Sequence, residues 1–322
     1  MAEVTQQQIE TKLKEYIDPY MDKDLVSTKS VRNIMVEGDQ VVVDVVLGFP
    51  AEGYKDALGA KLKEMVESVA GVAKARVNIN VAIQAHAVQK GVKTISGIKN
   101  IIAVASGKGG VGKSTTATNL ALALSAEGAK VGVLDADIYG PSQPRMLGIH
   151  GKPESKDGQT LEPLVSYHVQ TMSIGFLVDE ETPMIWRGPM VTQALQQLLN
   201  DTNWSDLDYL VIDLPPGTGD VQLTLAQQVP VSGAVIVTTP QDIALLDARK
   251  GLKMFEKVEV PVLGIVENMS IHICSNCGHE EHIFGEGGGQ RMADQYDVDF
   301  LGALPLDIKI REQVDSGRPS VV

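Results

Sequence analysis

The sequence predicts an α/β fold in which a mostly parallel sheet is flanked by helices, and three observations indicate it. Residues 101–105, 130–137 and 209–213 are continuous apolar runs, two of which end in acidic residues. Strands buried on both faces of a parallel sheet show such continuous runs, whereas half-exposed strands alternate. Runs of helical character, such as residues 117–124, alternate with them, as helices do around a parallel sheet. A glycine-rich loop joins the first strand to the first of these helices.

That loop, residues 106–115, reads Ser-Gly-Lys-Gly-Gly-Val-Gly-Lys-Ser-Thr and matches the phosphate-binding pattern G-x-x-x-x-G-K-[ST]. Glycines let successive N–H groups point at one anion, and the start of the helix adds its positive dipole end. In this pattern Lys113 reaches the β- and γ-phosphates, and the Ser114 hydroxyl is a ligand of Mg²⁺. The predicted nucleotide-binding residues of the loop are Gly107, Lys108, Gly109, Gly110, Val111, Gly112, Lys113, Ser114 and Thr115.

Lys108 is a second lysine, placed directly after the first glycine of the loop. A lysine on a polar loop is usually a solvated surface residue. A second ammonium group also helps to neutralise a triphosphate, and it can reach a phosphate bound by a partner subunit. The form G-K-G-G-x-G-K-[ST] resembles the deviant Walker A loop of the MinD/ParA/nitrogenase-iron-protein class of P-loop ATPases. That resemblance implies that Lys108 crosses a dimer interface.

Two aspartates stand at the ends of the other predicted strands. Ligands bind beyond the carboxyl ends of parallel strands, where a carboxylate can hold Mg²⁺ or orient the attacking water. The resemblance implies that Asp137 positions water and that Asp213 supports Mg²⁺, whereas Asp135 is expected to order the loop. A strand-end aspartate considered alone is as often a helix cap. The predicted catalytic residues are Lys108, Lys113, Asp137 and Asp213.

Composition argues against several other classes of protein. The net charge of −13 disfavours non-specific nucleic-acid binding and leaves no basic face for anionic lipid. The N-terminus has no positive region before an apolar core, and no run reaches the roughly 18 apolar residues of a membrane span. We therefore expect a cytoplasmic protein whose partners are neither nucleic acid nor membrane.

Three segments are predicted along the chain. Residues 1–86 form a small α/β domain that resembles the MIP18-like module of iron–sulfur assembly proteins. Residues 87–99, rich in lysine and glycine, have the composition of a linker. Residues 100–322 contain the glycine-rich loop and the alternating strands and helices of the ATPase domain.

The two cysteines of the chain form a C-x-x-C pair, Cys274 and Cys277. One chain supplies two of the four thiolates that a four-iron cluster needs, and a two-fold dimer supplies all four. Zinc is the competing interpretation, because His279 and His282 follow closely. However, one residue separates the two ligand pairs, and structural zinc sites usually separate them by about a dozen. Thiol redox chemistry or inert thiols also remain open.

Taken together, the motifs resemble the Mrp/ApbC-type iron–sulfur cluster carriers, and the resemblance covers nearly the whole chain. It implies an ATP-hydrolysing homodimer that holds a [4Fe-4S] cluster on Cys274 and Cys277 of both subunits. Such a carrier receives the cluster from an assembly scaffold and passes it to apo iron–sulfur proteins. The resemblance is carried by residues 106–115, 134–142, 186–190, 209–220, 235–241, 266–270 and 283–289.

The same resemblance implies that Asn268, Pro305 and Asp307 contribute to recognition of the nucleotide base, with loop capping or turn formation as the alternative. Members of this family generally continue into a final helix, whereas this sequence stops at Val322. We therefore expect apolar sheet surface to be exposed. Two other functions share the nucleotide site, namely a MinD/ParA-like positioning ATPase and a reductase resembling the nitrogenase iron protein.

Overall fold

The computed structural model describes residues 4–178 and 188–321. Trp186 and Arg187, which belong to one of the segments that carry the family resemblance, lie outside the described residues. The chain forms two compact units. The N-terminal unit comprises Met1–Gln84 and Ala126–Ala129, and the P-loop unit comprises Ala85–Ser125 and Lys130–Val322.

Over residues 4–84, the N-terminal unit contains two helices, a three-stranded sheet and a short two-stranded ladder. Its elements are α1 (Gln6–Leu13), β1 (Ile17–Asp18), β2 (Lys23–Asp24), β3 (Val31–Glu37), β4 (Gln40–Leu47), α2 (Lys55–Glu67) and β5 (Lys74–Val81). The sheet order is β3-β4-β5, with β3 antiparallel and β5 parallel to the central β4, while β1 pairs with β2.

Buried side chains alternate with more exposed ones along β4 and recur every four residues along α2, and together they form the core of this unit. Inward side chains of the strand lie on one face of the sheet, and inward side chains of the helix lie on one stripe. Thr5 and Gln8 form a capping box at the start of α1. The core is built from Val41, Val43, Val45 and Leu47 of β4 and from Leu58, Leu62 and Val66 of α2.

In the part of the P-loop unit that the structure describes, eight strands form one sheet flanked by helices. Its elements are β6 (Ile98–Ala105), α3 (Lys113–Ala126), β7 (Val131–Asp135), α4 (Gln143–Met146), β8 (Leu164–Ser166), β9 (Val169–Ser173), α5 (Gly188–Asn200), β10 (Leu207–Asp213), α6 (Asp220–Gln228), β11 (Gly233–Thr238), α7 (Asp242–Lys257), β12 (Val262–Glu267), β13 (His272–Ile273), β14 (Glu280–Glu281), α8 (Gly288–Tyr296), β15 (Phe300–Ala303) and α9 (Ile308–Asp315). The predicted α/β class with a mostly parallel sheet is confirmed.

Strand order places a topological switch point within this sheet. The order is β15-β12-β11-β6-β10-β7-β9-β8, and each pairing is parallel except β8 with β9. The chain passes from β6 to β7 on one side and later crosses from β10 to β11 on the other. Parallel sheets bind ligands beyond the carboxyl ends of their strands at such a switch point. The ends of β6, β7 and β10 therefore meet at one place.

The segment predicted as a linker, residues 87–99, is partly built into the P-loop unit. β6 begins at Ile98, whose partner in the parallel ladder is Leu207. Further upstream, the buried amide of Gln89 donates a hydrogen bond to the Ala226 carbonyl over 2.8 Å. Partners more than a hundred residues away fix this segment, which its composition did not indicate. Within the described parts of the chain, no helix is long and apolar enough to cross a lipid bilayer.

Truncation of Phe255 should destabilise the P-loop unit. Phe255 on α7 is completely buried, so Phe255→Ala removes its buried area and leaves a cavity. We expect a loss of roughly 3–5 kcal/mol in the free energy of unfolding. Urea denaturation followed by tryptophan fluorescence measures it, since Trp204 is buried in this unit.

Ile243→Ala on the same helix is the control, because Ile243 is 65% exposed. It should change the free energy of unfolding by less than about 0.5 kcal/mol. Equal losses in the two variants would contradict the assignment of the core.

Candidate functional site

The loop between β6 and α3 is shaped by its glycines. Gly110 and Gly112 have φ values of +82° and +85°, in the left-handed region. A Cβ at Gly112 would lie 2.0 Å from Nδ2 of Asn268, and that amide donates a hydrogen bond to the Val111 carbonyl over 2.9 Å. Asn268 therefore closes one side of the loop, and the glycine makes room for it.

Gly107 fixes the opposite side of the loop. A Cβ there would lie 2.1 Å from the carbonyl carbon of Asp247 on α7. Backbone atoms cannot turn aside as a side chain can, so the loop and α7 pack directly through this glycine. The Ser106 hydroxyl donates to the Lys108 carbonyl over 2.9 Å, which tightens the turn further.

Buried charges lie directly beneath the loop. Lys113 is 6% exposed, and its ammonium group pairs with Oδ1 of Asp213, which is completely buried. Oδ2 of Asp137 lies 3.7 Å from the same ammonium nitrogen, and the Ser114 hydroxyl lies 3.3 Å from it. The structure thus brings together four residues that the sequence predicted from three separate segments. Burial is the main reason why the pKa of Asp137 is raised above its ordinary value.

Asp135 holds the loop that follows β7. Its carboxylate accepts hydrogen bonds from the backbone N–H groups of Asp137, Ser142 and Gln143 and from the Ser173 hydroxyl, over 3.0 to 3.2 Å. Burial, followed by the nearby charge of Asp213, raises the pKa of Asp135 to about 7. Four donors on one carboxylate explain how this short loop keeps its path into α4.

Lys108 is arranged differently from Lys113. Its side chain is exposed, and no ion pair found among residues 4–178 and 188–321 includes it. The ammonium group therefore faces solvent and is free to meet a group from outside this chain.

Asn268, Pro305 and Asp307 lie together in the wall of a groove of about 780 Å³ that also reaches Gly112 and Thr115 of the loop. The carboxylate of Asp307 accepts a hydrogen bond from the Lys309 N–H over 2.7 Å and so caps α9, the role that was the alternative to base contact. The groove has an apolar wall in which Leu301 of β15 is 50% exposed.

The cysteines lie on a hairpin formed by β13 and β14. The Cys274 N–H donates to the His279 carbonyl over 2.9 Å, and the Gly278 N–H donates to the Cys274 carbonyl over 2.8 Å. Cys277 is exposed and Cys274 partly exposed, and both thiols are free. Hydrogen bonds from the backbone N–H groups of Asn276 and Cys277 lower the pKa of the Cys274 thiol, which favours the thiolate form that binds metal.

Within the described residues, the side chains of the compact zinc site considered from the sequence are not grouped together. His282 directs Nδ1 at the Ser270 carbonyl over 2.8 Å, so this nitrogen carries the proton and Nε2 keeps its lone pair. His279 is exposed. In the parts of the chain that the structure describes, no three His, Cys, Asp or Glu side chains are grouped to hold a metal ion.

Two residues of the site were not predicted from the sequence. Glu267 ends β12, and its buried carboxylate accepts a hydrogen bond from the Gly289 N–H at the start of α8. An acidic residue at the end of an apolar strand, with a glycine run later in the chain, was a usable signal. Gln143 at the start of α4 is completely buried and contacts Asp213. A glutamine before a proline carries no comparable signal.

Residues 97–322 match the protein family described as ParA, the NUBPL iron-transfer P-loop NTPases. The match includes the glycine-rich loop, both strand-end aspartates and the cysteine hairpin. The chain belongs to this family. Residues 6–79 match a second family, described as iron-sulfur cluster assembly protein.

Several curated proteins are similar to this NUBPL-family chain. The iron-sulfur cluster carrier protein of Pseudomonas fragi is 60% identical over 263 residues, which are 81% of this chain and 92% of the relative. The carrier protein of Escherichia coli K12 is 54% identical over 318 residues, or 96% of this chain and 84% of the relative. The mouse iron-sulfur cluster transfer protein NUBPL is 55% identical over 231 residues, which are 71% of this chain and 72% of the relative.

Two solved structures are also similar to this chain. The nucleotide-binding protein of Archaeoglobus fulgidus, in complex with ADP, is 41% identical with a TM-score of 0.62, over 69% of this chain and 88% of that one. MinD of Pyrococcus horikoshii, complexed with Mg-ADP, is 23% identical with a TM-score of 0.50, over 68% of this chain and 86% of that one. At that identity the likeness to MinD concerns the fold alone.

Gly107→Ala should destabilise the P-loop unit through overpacking. The added Cβ meets the α7 backbone at Asp247, so the loop and the helix must separate. We expect a loss of roughly 3 kcal/mol in the free energy of unfolding, measured by urea denaturation without nucleotide.

Gly110→Ala is the matched control, since no atom lies within 4 Å of its Cβ position. There only the left-handed φ is strained, at a cost of about 1 kcal/mol. A loss as large at Gly110 as at Gly107 would show that the contact with α7 does not matter.

Proposed function

We propose that this member of the NUBPL family is an ATP-hydrolysing iron–sulfur cluster carrier that works as a homodimer. In this proposal a [4Fe-4S] cluster is cargo, bridged by Cys274 and Cys277 of both subunits. The observation that carries the proposal is the hairpin, which presents two accessible thiols and, among the described residues, has no further donors grouped with them. Two donors are half of what a four-iron cluster needs, and a two-fold axis doubles them.

The nucleotide site supports ATP and Mg²⁺ as ligands. Gly110 and Gly112 give the loop its left-handed backbone, and Lys113 supplies a buried positive charge beneath it. Mg²⁺ would be held by the Ser114 hydroxyl and by Asp213, and it would neutralise charge on the phosphates. Lys113 would then exchange its contact with Asp213 for the β- and γ-phosphates. Asn268 and Pro305 would lie against the base, and Asp307 would act through its cap on α9.

Asp137 is the residue proposed to orient the attacking water. Its carboxylate is 14% exposed, so one side remains open while the other faces Lys113. Lys108 would complete the site of the partner subunit, as its solvent-facing ammonium group allows. Because the Lys108 ammonium group would reach the phosphates only when two subunits meet, hydrolysis would depend on dimer closure.

Cluster delivery fits the exposure of the hairpin. An accessible cluster suits transient holding and transfer, with an assembly scaffold as donor and apo iron–sulfur proteins as recipients. The net charge of −13 supports neither a nucleic-acid nor a membrane partner, and we place the carrier in the cytoplasm. The proposal assigns residues 1–86 to an iron–sulfur assembly module and residues 100–322 to the ATPase, with residues 87–99 between them.

Cys277→Ala should abolish cluster binding. The change leaves a dimer with two thiolates, which cannot hold a four-iron cluster. After anaerobic reconstitution we expect the visible absorption, the iron and the sulfide to be lost. Ser275→Ala in the same turn is the control and should retain all three, while retention of the full iron content in Cys277→Ala would refute the bridging arrangement.

Lys108→Ala should remove ATP hydrolysis while nucleotide binding persists, because Lys113 and the loop remain intact. Mixing Lys108→Ala with Asp213→Asn protein tests whether Lys108 acts in trans. In the mixed dimer, the subunit with an intact Asp213 receives the intact Lys108 of the other. Turnover should therefore recover to about a quarter of the native value, since half of randomly assembled dimers are mixed and each has one complete site. A mixture as inactive as its parents, although exchange of subunits is demonstrated, would place Lys108 in its own site.

A further inference from the structure

The side-chain amide of Gln143 lies between the two residues to which the proposed function assigns Mg²⁺. Its Nε2 is 2.9 Å from Oδ2 of Asp213 and 3.2 Å from the Ser114 carbonyl oxygen. Both of these atoms only accept hydrogen bonds, so the amide nitrogen must face them. Oε1 then faces Thr118, whose hydroxyl lies 2.7 Å away. The amide orientation is thus fixed by its surroundings on α3 and β10.

The two oxygens of the Asp213 carboxylate accept hydrogen bonds from different side chains. Lys113 donates to Oδ1 and Gln143 donates to Oδ2. Within the described ranges, these are the two side chains that donate to this completely buried group. A buried carboxylate that loses its donors is costly, and an unrestrained one can rotate away from a metal ion.

If the proposed function holds, nucleotide binding changes which side chains donate to Asp213. Once Lys113 turns to the phosphates, Gln143 is the donor that stays on Asp213. The backbone N–H of Gln143 also donates to Asp135 over 3.1 Å, so the same residue ties down the loop that carries Asp137. One side chain therefore restrains Asp213 while its own backbone restrains the loop.

We infer that Gln143 is a positioning residue that holds Asp213 toward Mg²⁺ and so sets the Mg²⁺ affinity of the nucleotide complex. It touches neither nucleotide nor metal and acts through the carboxylate. Its removal affects the step that needs Mg²⁺ and leaves metal-free nucleotide binding, which depends on the loop, unchanged.

Gln143→Met tests this inference, because methionine has a similar length and no strong hydrogen-bonding group. Binding of a fluorescent ADP analogue is titrated with Mg²⁺ and, separately, measured in excess chelator. Loss of a hydrogen bond to a charged group predicts that the Mg²⁺ concentration for half-maximal binding of the analogue rises about tenfold or more. Affinity in chelator should equal that of the native protein, and excess Mg²⁺ should restore turnover.

Gln89→Met is the matched control, since Gln89 is also buried in the P-loop unit but donates to the Ala226 carbonyl. Its Mg²⁺ requirement should be native. If Gln143→Met fails to fold, as judged by its thermal transition, Gln143→Asn retains an amide but withdraws it by one methylene. That variant should shift the Mg²⁺ requirement in the same direction.

An unchanged Mg²⁺ requirement in the folded Gln143 variant would overturn the inference. So would an equal loss of nucleotide affinity with and without Mg²⁺, because that result indicates lost packing alone. Failure of the proposed function is distinguishable, since native protein would then show no Mg²⁺-dependent nucleotide binding at all.

Discussion

The buried pair of Lys113 and Asp213 is the interaction around which the P-loop unit is arranged. Lys113 begins α3 and Asp213 ends β10, so their contact requires the helix and the strand to meet at the same edge of the sheet. Either charge left alone in this place would be penalised by several kcal/mol. The parallel register sets Asp213 beside Asp135 and Val104, which brings the ends of β6, β7 and β10 level. The glycine loop closes over this centre.

Two consecutive residues at the end of β12 contact different segments of the P-loop unit. Asn268 holds the glycine loop through the Val111 carbonyl, and its neighbour Glu267 holds the start of α8 through Gly289. The cysteine hairpin lies between these anchors in the chain. In the proposed function, nucleotide binding is coupled to the cluster on this hairpin. It can alter cluster affinity only by the amount by which nucleotide affinity differs between the two states.

Sequence patterns were sufficient where the signal is local. Continuous apolar runs predicted the buried parallel strands, and loop 106–115 with the two strand-end aspartates predicted which residues meet beneath it. The start of β6 was missed because Lys99 is polar, and its partner Asp208 lies 2.7 Å away only after folding. Gln143 was missed for the same reason, since its contacts lie on α3 and β10. Long-range partners of polar residues leave no pattern in a single chain.

Native mass spectrometry of anaerobically reconstituted protein distinguishes a cluster shared by two chains from a cluster held by one chain. If the cluster is shared, we expect a species of two chains with four iron and four sulfide ions, and chains without a cluster where iron is withheld. Single chains that each retain a complete cluster, or dimers that take up no iron, would contradict this arrangement.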